Sequence, residues 1–157
     1  MTFLVEYRAA RHDEDVARLR RMFALRAAVA TGMSQREIAT ALGISQAAVS
    51  QQLKTASDLS DVHPGALVEV AGPVLRRLAK DAGYGRLALF GSVARGEATA
   101  ESDVDLLVEA PEGTSSFEFI RFKQLLERVL GRQIDLVDYG GLKERLDDDI
   151  RRDAVLL

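Results

Sequence analysis

The chain has 157 residues, of which 47% are hydrophobic and 29% are charged; this balance predicts a folded, core-forming protein and excludes low-complexity chains. Cysteine is absent, which excludes disulfides, thiol nucleophiles and sulfur-ligated metals and favours a cytoplasmic protein. Its apolar runs are too short to span a membrane, and no signal peptide is expected. Residues 1–57 carry 8 Lys and Arg against 5 Asp and Glu, and residues 58–157 carry 13 against 19. The mildly basic first part makes nucleic acid a candidate partner.

Three helices are predicted in this first part. Apolar residues recur at helical spacing from Asp13 to Ala30, and Gly32 ends that helix. Ser34 and Glu37 form a capping box at the start of a second helix. Its inward-facing residues are expected to be Ile38, Ala41 and Leu42. Ser45 is the expected cap of a third helix, whose buried side carries Val49 and Leu53.

The stretch from Ser34 to Lys54 resembles the helix-turn-helix of bacterial transcription regulators. The alternative is a small helical bundle that only packs on the next module. In helix-turn-helix proteins the second helix enters the major groove, so we expect a DNA-binding domain over residues 1–60. The residues expected at the DNA are Arg36, Ser45, Gln46, Ala47, Ser50, Gln51 and Lys54. One such motif makes few contacts, so a homodimer, or a complex with a partner protein, is expected to bind a two-fold operator.

The second part alternates helices with strands after a polar boundary at residues 57–65, which contains Pro64-Gly65. One helix is predicted to begin at Pro73, and another is predicted to end at Gly131. The expected strands are residues 86–90, 103–109 and 133–138. The expected last helix carries Leu142, Leu146 and Ile150. This pattern predicts an α/β module with a small sheet over residues 65–157.

Acidic residues on two of these strands are the candidates for chemistry. Asp103 and Asp105 are two apart, so they point to the same face of a strand. Two carboxylates held this close repel each other unless a cation lies between them, and Mg²⁺ suits such oxygen ligands. Asp135, between two apolar residues of the third strand, becomes a third acid of the site if that strand lies beside the one bearing the pair. Taken alone, each acid also fits a solvated strand end.

Gly91 and Ser92 follow the first strand and are predicted to open a short helix that ends near Gly96. A helix start offers unpaired N–H groups to an anion, and glycine lets a phosphate approach the backbone closely. Arg95 lies one turn further on and is expected to reach the same side. A Gly-Ser pair alone would more often be an ordinary turn.

Gly91-Ser92 followed after ten residues by Asp103-Val104-Asp105 resembles the signature of the DNA polymerase β-like nucleotidyltransferase superfamily, and the compact form resembles its minimal nucleotidyltransferase branch. The resemblance implies an α/β (α+β) core with a small mixed sheet after the helix-turn-helix domain. It implies that Asp103 and Asp105 bind Mg²⁺, and that Asp135 completes the metal site or orients the attacking hydroxyl. Gly91 and Ser92 would hold the phosphates of ATP, and Arg95 would lie near them.

Members of this branch are commonly antitoxins that transfer AMP to a tyrosine of a HEPN-type toxin, and this is the expected function. Two alternatives stay open. One is a DNA-binding regulator whose nucleotidyltransferase module senses nucleotide or docks a partner. The other, less favoured, is an antibiotic nucleotidyltransferase, because only 19 residues (139–157) follow the last predicted strand.

Overall fold

A computed structural model describes residues 1–55, 59–145 and 147–157. The chain divides into two compact units, Met1–Ser57 and Asp58–Leu157. Within those described ranges, no helix combines the length and the apolar character needed to cross a membrane. The predicted class is confirmed: helices precede an α+β core with a small mixed sheet.

The first unit consists of three helices. They are α1 (Thr2–Ala30), α2 (Gln35–Leu42) and α3 (Gln46–Thr55). The capping box at the start of α2 is confirmed, because Ser34 Oγ accepts from the Glu37 N–H at 3.2 Å and a Glu37 carboxylate oxygen accepts from the Ser34 N–H at 2.7 Å. Ser45 caps α3 by accepting from the Ala48 N–H at 3.0 Å. The apolar cluster of this unit contains Leu25, Ala28, Ile38, Ala39, Val49 and Leu53.

Two predictions for this unit are wrong in detail. The first helix begins at Thr2 rather than Asp13; its first half is exposed, so it has no apolar stripe, and good helix formers without Gly or Pro extend it. Ala41 and Leu42 are exposed. The buried residues of α2 are Ile38 and Ala39, because the apolar cluster covers only the side of the helix that carries these two residues.

The second unit contains four helices and four strands within the described residues. The helices are α4 (Pro64–Asp81), α5 (Gly91–Ala94), α6 (Ser116–Leu130) and α7 (Asp148–Asp153). The strands are β1 (Gly85–Phe90), β2 (Val104–Glu109), β3 (Ile134–Asp138) and β4 (Val155–Leu156). A short 3₁₀ helix (Tyr139–Gly141) follows β3. Gly131 ends α6 in the left-handed conformation, as predicted.

The sheet has the order β3-β2-β1-β4, with β2 and β3 parallel and the other pairs antiparallel. Its strands alternate between two faces. On one face an apolar cluster joins β1 and β2 to residues around α7. The members of that cluster are Ala88, Phe90, Leu107, Val137, Tyr139, Leu142, Ile150 and Ala154. Helices α4 and α6 pack on each other and contact β1 and β3, respectively. The core therefore lies on both sides of β2, whose residues from Leu106 to Val108 are fully buried.

Two further predictions need correction, and one strand was not foreseen. Pro73 lies inside α4, which begins nine residues earlier at Pro64 after the cap residue His63. The cost of an internal proline, about 3 kcal/mol, is offset because buried side chains on both sides of it require one continuous helix. The predicted last helix is shorter, since only residues 148–153 are helical, and Leu146 lies outside the described residues. Strand β4 was not predicted, because two residues show no alternation.

Candidate active site

The backbone of Gly91 and the carboxylate of Asp105 are packed directly against each other. Gly91 follows Phe90, the last residue of β1, and Phe90 pairs with Asp105 across the antiparallel ladder. A Cβ on Gly91 would lie 2.1 Å from Asp105 Oδ2 and 2.9 Å from its Cγ. Gly91 also has a φ of 71°, which L side chains rarely adopt. Only glycine therefore fits between the end of β1 and this carboxylate.

The three predicted acids lie at one end of the sheet. Asp105 and Asp135 are register partners on the parallel strands β2 and β3, so they point to the same face. Asp103 immediately precedes β2. Burial, then the charge of Asp135, then that of Asp103 raise the pKa of Asp105, and the charge of Arg95 opposes this shift. Concentrated negative charge of this kind is what a bound cation would neutralise.

The residues at this end of the sheet have the chemistry for a hard divalent cation. Within residues 1–55, 59–145 and 147–157, no three His, Cys, Asp or Glu side chains are grouped as a metal-binding set. Asp105 is nevertheless half-buried, while Asp103 and Asp135 are exposed; burial first, and then the charges of Asp135 and Asp103, raise the pKa of Asp105. Carboxylate oxygens in this number suit Mg²⁺, which is bound by one or two carboxylates and substrate phosphates. The chemistry of the Asp103 and Asp105 carboxylates therefore fits the expected Mg²⁺.

Helix α5 has the predicted position, opening at Gly91 and ending before Gly96. The Arg95 N–H donates to the Gly91 carbonyl at 3.1 Å, and the Glu97 N–H donates to the Ser92 carbonyl at 2.9 Å. This tight turn begins at Gly91, which packs against Asp105, and continues through the half-buried Ser92. Gly91 therefore lies beside the Asp105 carboxylate, at the segment where the resemblance expects nucleotide phosphates.

The side chain of Arg95 is held by two carboxylates, while its charge acts on Asp105. Its Nε donates to Glu97 and its Nη1 donates to Asp153 at the end of α7, both at 2.9 Å. These two hydrogen bonds raise the pKa of Arg95. Sequence reasoning missed Glu97 and Asp153 as its partners. Asp153 lies 58 residues away, and no local pattern connects the two.

The residues expected at DNA lie on α2, on α3 and at the Ser45 cap that precedes α3. Val49 is fully buried and Leu53 is partly buried in the cluster of the first unit. This leaves the opposite side of α3 facing outward. The exposed candidates are Arg36, Ser45, Gln46, Ala47, Gln51 and Lys54, while Ser50 is half-buried.

Comparison with known proteins defines the class. Residues 74–156 match the Nucleotidyltransferase domain family, and the chain belongs to this family. It is thus a nucleotidyltransferase enzyme, as predicted.

Particular relatives can also be named. A candidate protein adenylyltransferase of Methanocaldococcus jannaschii is 42% identical over 73 residues, which cover 46% of this chain and 78% of the relative. The protein adenylyltransferase MntA of Thermococcus cleftensis is 40% identical over 73 residues, which cover 46% of this chain and 74% of the relative. A solved structure of a candidate minimal nucleotidyltransferase overlays with a TM-score of 0.54 at 38% identity, covering 59% of this chain and 95% of that one.

Proposed function

We propose that this chain is a Mg²⁺-dependent protein adenylyltransferase of the antitoxin type, which transfers AMP from ATP to a tyrosine hydroxyl of a HEPN-type toxin. The observation that carries the proposal is the register of Asp105 with Asp135 beside the Gly91 turn. The names of the two sequence relatives support a protein as acceptor. The resemblance of the Gly91-to-Asp105 segment to minimal nucleotidyltransferases supports the toxin as partner.

The proposed reaction is an attack of the acceptor oxygen on the α-phosphorus of ATP. The new oxygen–phosphorus bond forms as the bond to the bridging oxygen breaks, and pyrophosphate leaves with that oxygen. Mg²⁺, when bound, would stabilise the negative charge of the phosphates. Asp103 and Asp105 would hold it, and Gly91 and Ser92 would orient the triphosphate.

The hydroxyl proton has to leave the acceptor during this step, and Asp135 is the proposed recipient. Its carboxylate is exposed at the edge strand β3, on the same face as Asp105. A positioned carboxylate acting as general base contributes about 10² to 10⁴ in rate. Asp135 would therefore accept the proton or complete the metal site, and the pH dependence of an Asp135→Asn variant distinguishes these roles.

The test is transfer of label from α-³²P-ATP to a co-purified partner toxin, with and without Mg²⁺. We expect Asp105→Asn to abolish transfer and Asp13→Asn, an exposed acid of α1, to leave it unchanged. Equal transfer by the parent and Asp105→Asn would reject the enzyme mechanism. Binding of ATP without any transfer would favour the nucleotide-sensing regulator instead.

We also propose that the first unit binds operator DNA as a helix-turn-helix, in a homodimer or in a hetero-oligomer with the toxin. The exposed side of α3 supports this, because glutamine can pair with adenine and alanine can contact a thymine methyl. Replacing Gln46 and Gln51 by Ala should cost about 1–3 kcal/mol at each contacted base and spare non-specific binding. Lys54→Ala should weaken binding to every sequence, since phosphate contacts carry affinity rather than specificity. The test is a mobility-shift assay on DNA upstream of the gene, with random duplex as control. No preference for the upstream DNA would favour the alternative, a small helical bundle that only packs on the next module.

A further inference from the structure

The segment that joins α5 to β2, residues 96–103, carries one of the three acids at its end, and we refer to it as the Asp103 loop. Asp105 and Asp135 are fixed by the hydrogen-bond ladder of the sheet. Asp103 precedes the ladder, so the position of its carboxylate depends on the loop backbone. Whatever holds this loop therefore determines whether Asp103 stays near Asp105.

The loop is held from two directions by side chains that belong to other elements. His63 Nε2 lies 2.9 Å from the carbonyl oxygen of Ala98, while His63 Nδ1 accepts from the Gly65 N–H at 3.1 Å. Because Nδ1 accepts, the proton of a neutral ring lies on Nε2, which donates to Ala98. One ring thus caps α4 and restrains the loop.

Arg132, just before β3, provides the second restraint. Its Nη1 donates to the carbonyl of Ala100. Its Nη2 donates to the carbonyl of Val62 at 2.7 Å, with longer contacts at 3.2 Å to Leu59 and 3.3 Å to Ser60. The planar guanidinium therefore joins the Asp103 loop to the segment that leads into α4, a geometry that a lysine cannot reproduce.

The loop also makes a turn of its own, from Thr99 to Ser102. The Thr99 N–H donates to Ser102 Oγ at 2.9 Å, and the Ser102 N–H returns to the Thr99 carbonyl at 3.1 Å. The Val104 N–H then donates to the Gln133 carbonyl at 3.2 Å, next to Arg132 in the chain. The anchored carbonyl of Ala98 thus lies just before this turn and that of Ala100 lies within it, a few residues before Asp103.

We propose that His63 and Arg132 are positioning residues, which hold the Asp103 loop so that the Asp103 carboxylate can share a divalent cation with Asp105. This inference rests on the proposed function for the identity of the metal. His63 lies outside the region matched to the family, residues 74–156, so this part of the site is supplied by the segment before it.

Two variants separate the restraint from the stability of the fold. His63→Asn keeps a side-chain cap for α4, because asparagine is among the best N-cap residues, but it is too short to reach Ala98 as well. Arg132→Lys keeps the charge and loses the planar fork. The matched controls are His12→Asn and Arg128→Lys, both exposed positions.

The first measurement is amide hydrogen exchange of the metal-free proteins at Thr99 and Ser102, which reports opening of the turn. Loss of one hydrogen bond should speed this exchange about two- to tenfold in His63→Asn, and Arg132→Lys should show a larger effect. The controls should match the parent. Unchanged exchange in both variants would overturn the proposal, whatever the activity of the parent.

The second measurement is a titration with Mn²⁺ followed by electron paramagnetic resonance, together with the Mg²⁺ concentration that gives half-maximal transfer. Both should show several-fold weaker metal binding in the two variants, and high Mg²⁺ should restore the rate. Faster exchange with unchanged metal binding would show that the anchors hold the loop but do not position Asp103, and would refute the inference. A parent that fails to transfer AMP would reject the proposed function, while exchange and Mn²⁺ binding would still decide the role of the anchors.

Discussion

Replacing Gly91 by Ala tests the close packing of the Gly91 turn on the Asp105 carboxylate. A left-handed backbone costs an L residue about 1–2 kcal/mol. The new Cβ would also lie 2.1 Å from Asp105 Oδ2, and moving this side chain off its rotamer costs about 0.5–1.5 kcal/mol more. We therefore expect a loss of about 2–3 kcal/mol in the free energy of unfolding of the second unit.

The two contributions can be separated by a double-mutant cycle with Asp105→Ala, measured by chemical denaturation. Truncating Asp105 to Ala removes the two closest atoms that the new methyl group would meet, Oδ2 and Cγ, and leaves only the Asp105 Cβ at 3.2 Å. The backbone strain at Gly91 stays in place. Gly91→Ala should therefore cost about 1 kcal/mol less in the Asp105→Ala background, which is the coupling expected for residues in contact. Strict additivity of the two substitutions would refute the packing argument, and equal stability of Gly91→Ala and the parent would refute the backbone argument as well.

Three further predictions concern charge and capping. Asp105→Asn should stabilise the protein near neutral pH. Because the folded-state pKa of Asp105 is raised, its negative charge opposes folding at any pH above that pKa. Denaturation curves should show this gain in stability near neutral pH and lose it as the pH falls below the ordinary carboxyl range. Asp153→Asn removes one of the two carboxylates that hold Arg95. It should lower the free energy of unfolding by less than about 1 kcal/mol and reduce the proposed AMP transfer several-fold. Unchanged transfer would mean that the orientation of Arg95 does not matter. Ser34→Ala should cost about 1 kcal/mol through the lost cap, visible in thermal unfolding of the first unit but not in the transfer rate.

Local signals in the sequence predicted most of the fold. The capping box at Ser34 and the terminal glycine at position 131 are determined by residues a few positions apart, and both are confirmed. The predicted helix start at Pro73 was wrong because proline either begins a helix or is tolerated within one. Burial decides between these two outcomes, and burial depends on tertiary packing. The periodicity around Leu142 was real, since Leu142 and Ile150 share one cluster, but they reach it from different segments.

The parts of the candidate site that belong to the Gly91-to-Asp105 signature were predictable from the sequence. The contacts between residues far apart in the chain were not. Spacing within one strand predicted Asp103 and Asp105 on the same face, but β2 begins at Val104 and Asp103 precedes it. Asp135 was expected beside them if its strand lay next to theirs, and the structure has Asp105 and Asp135 in register; the chemical roles of the three acids stay predictions. The partners of Arg95 and the contact of His63 with Ala98 involve residues 58 and 35 positions apart. Such pairings depend on how the elements pack, which no local pattern specifies.

In the parallel ladder between β2 and β3, packing of the apolar core sets the register of the two strands and therefore the relative position of Asp105 and Asp135. Asp135 lies between Ile134 and Leu136, which are 2% and 8% exposed. Sliding β3 by one residue would turn both of them to the other face and carry Asp135 into the interior. Burial of Ile134 and Leu136 thus fixes the alignment of Asp135 with Asp105. Smaller residues at positions 134 and 136 would weaken this restraint and allow the two acids to become misaligned in an otherwise folded enzyme.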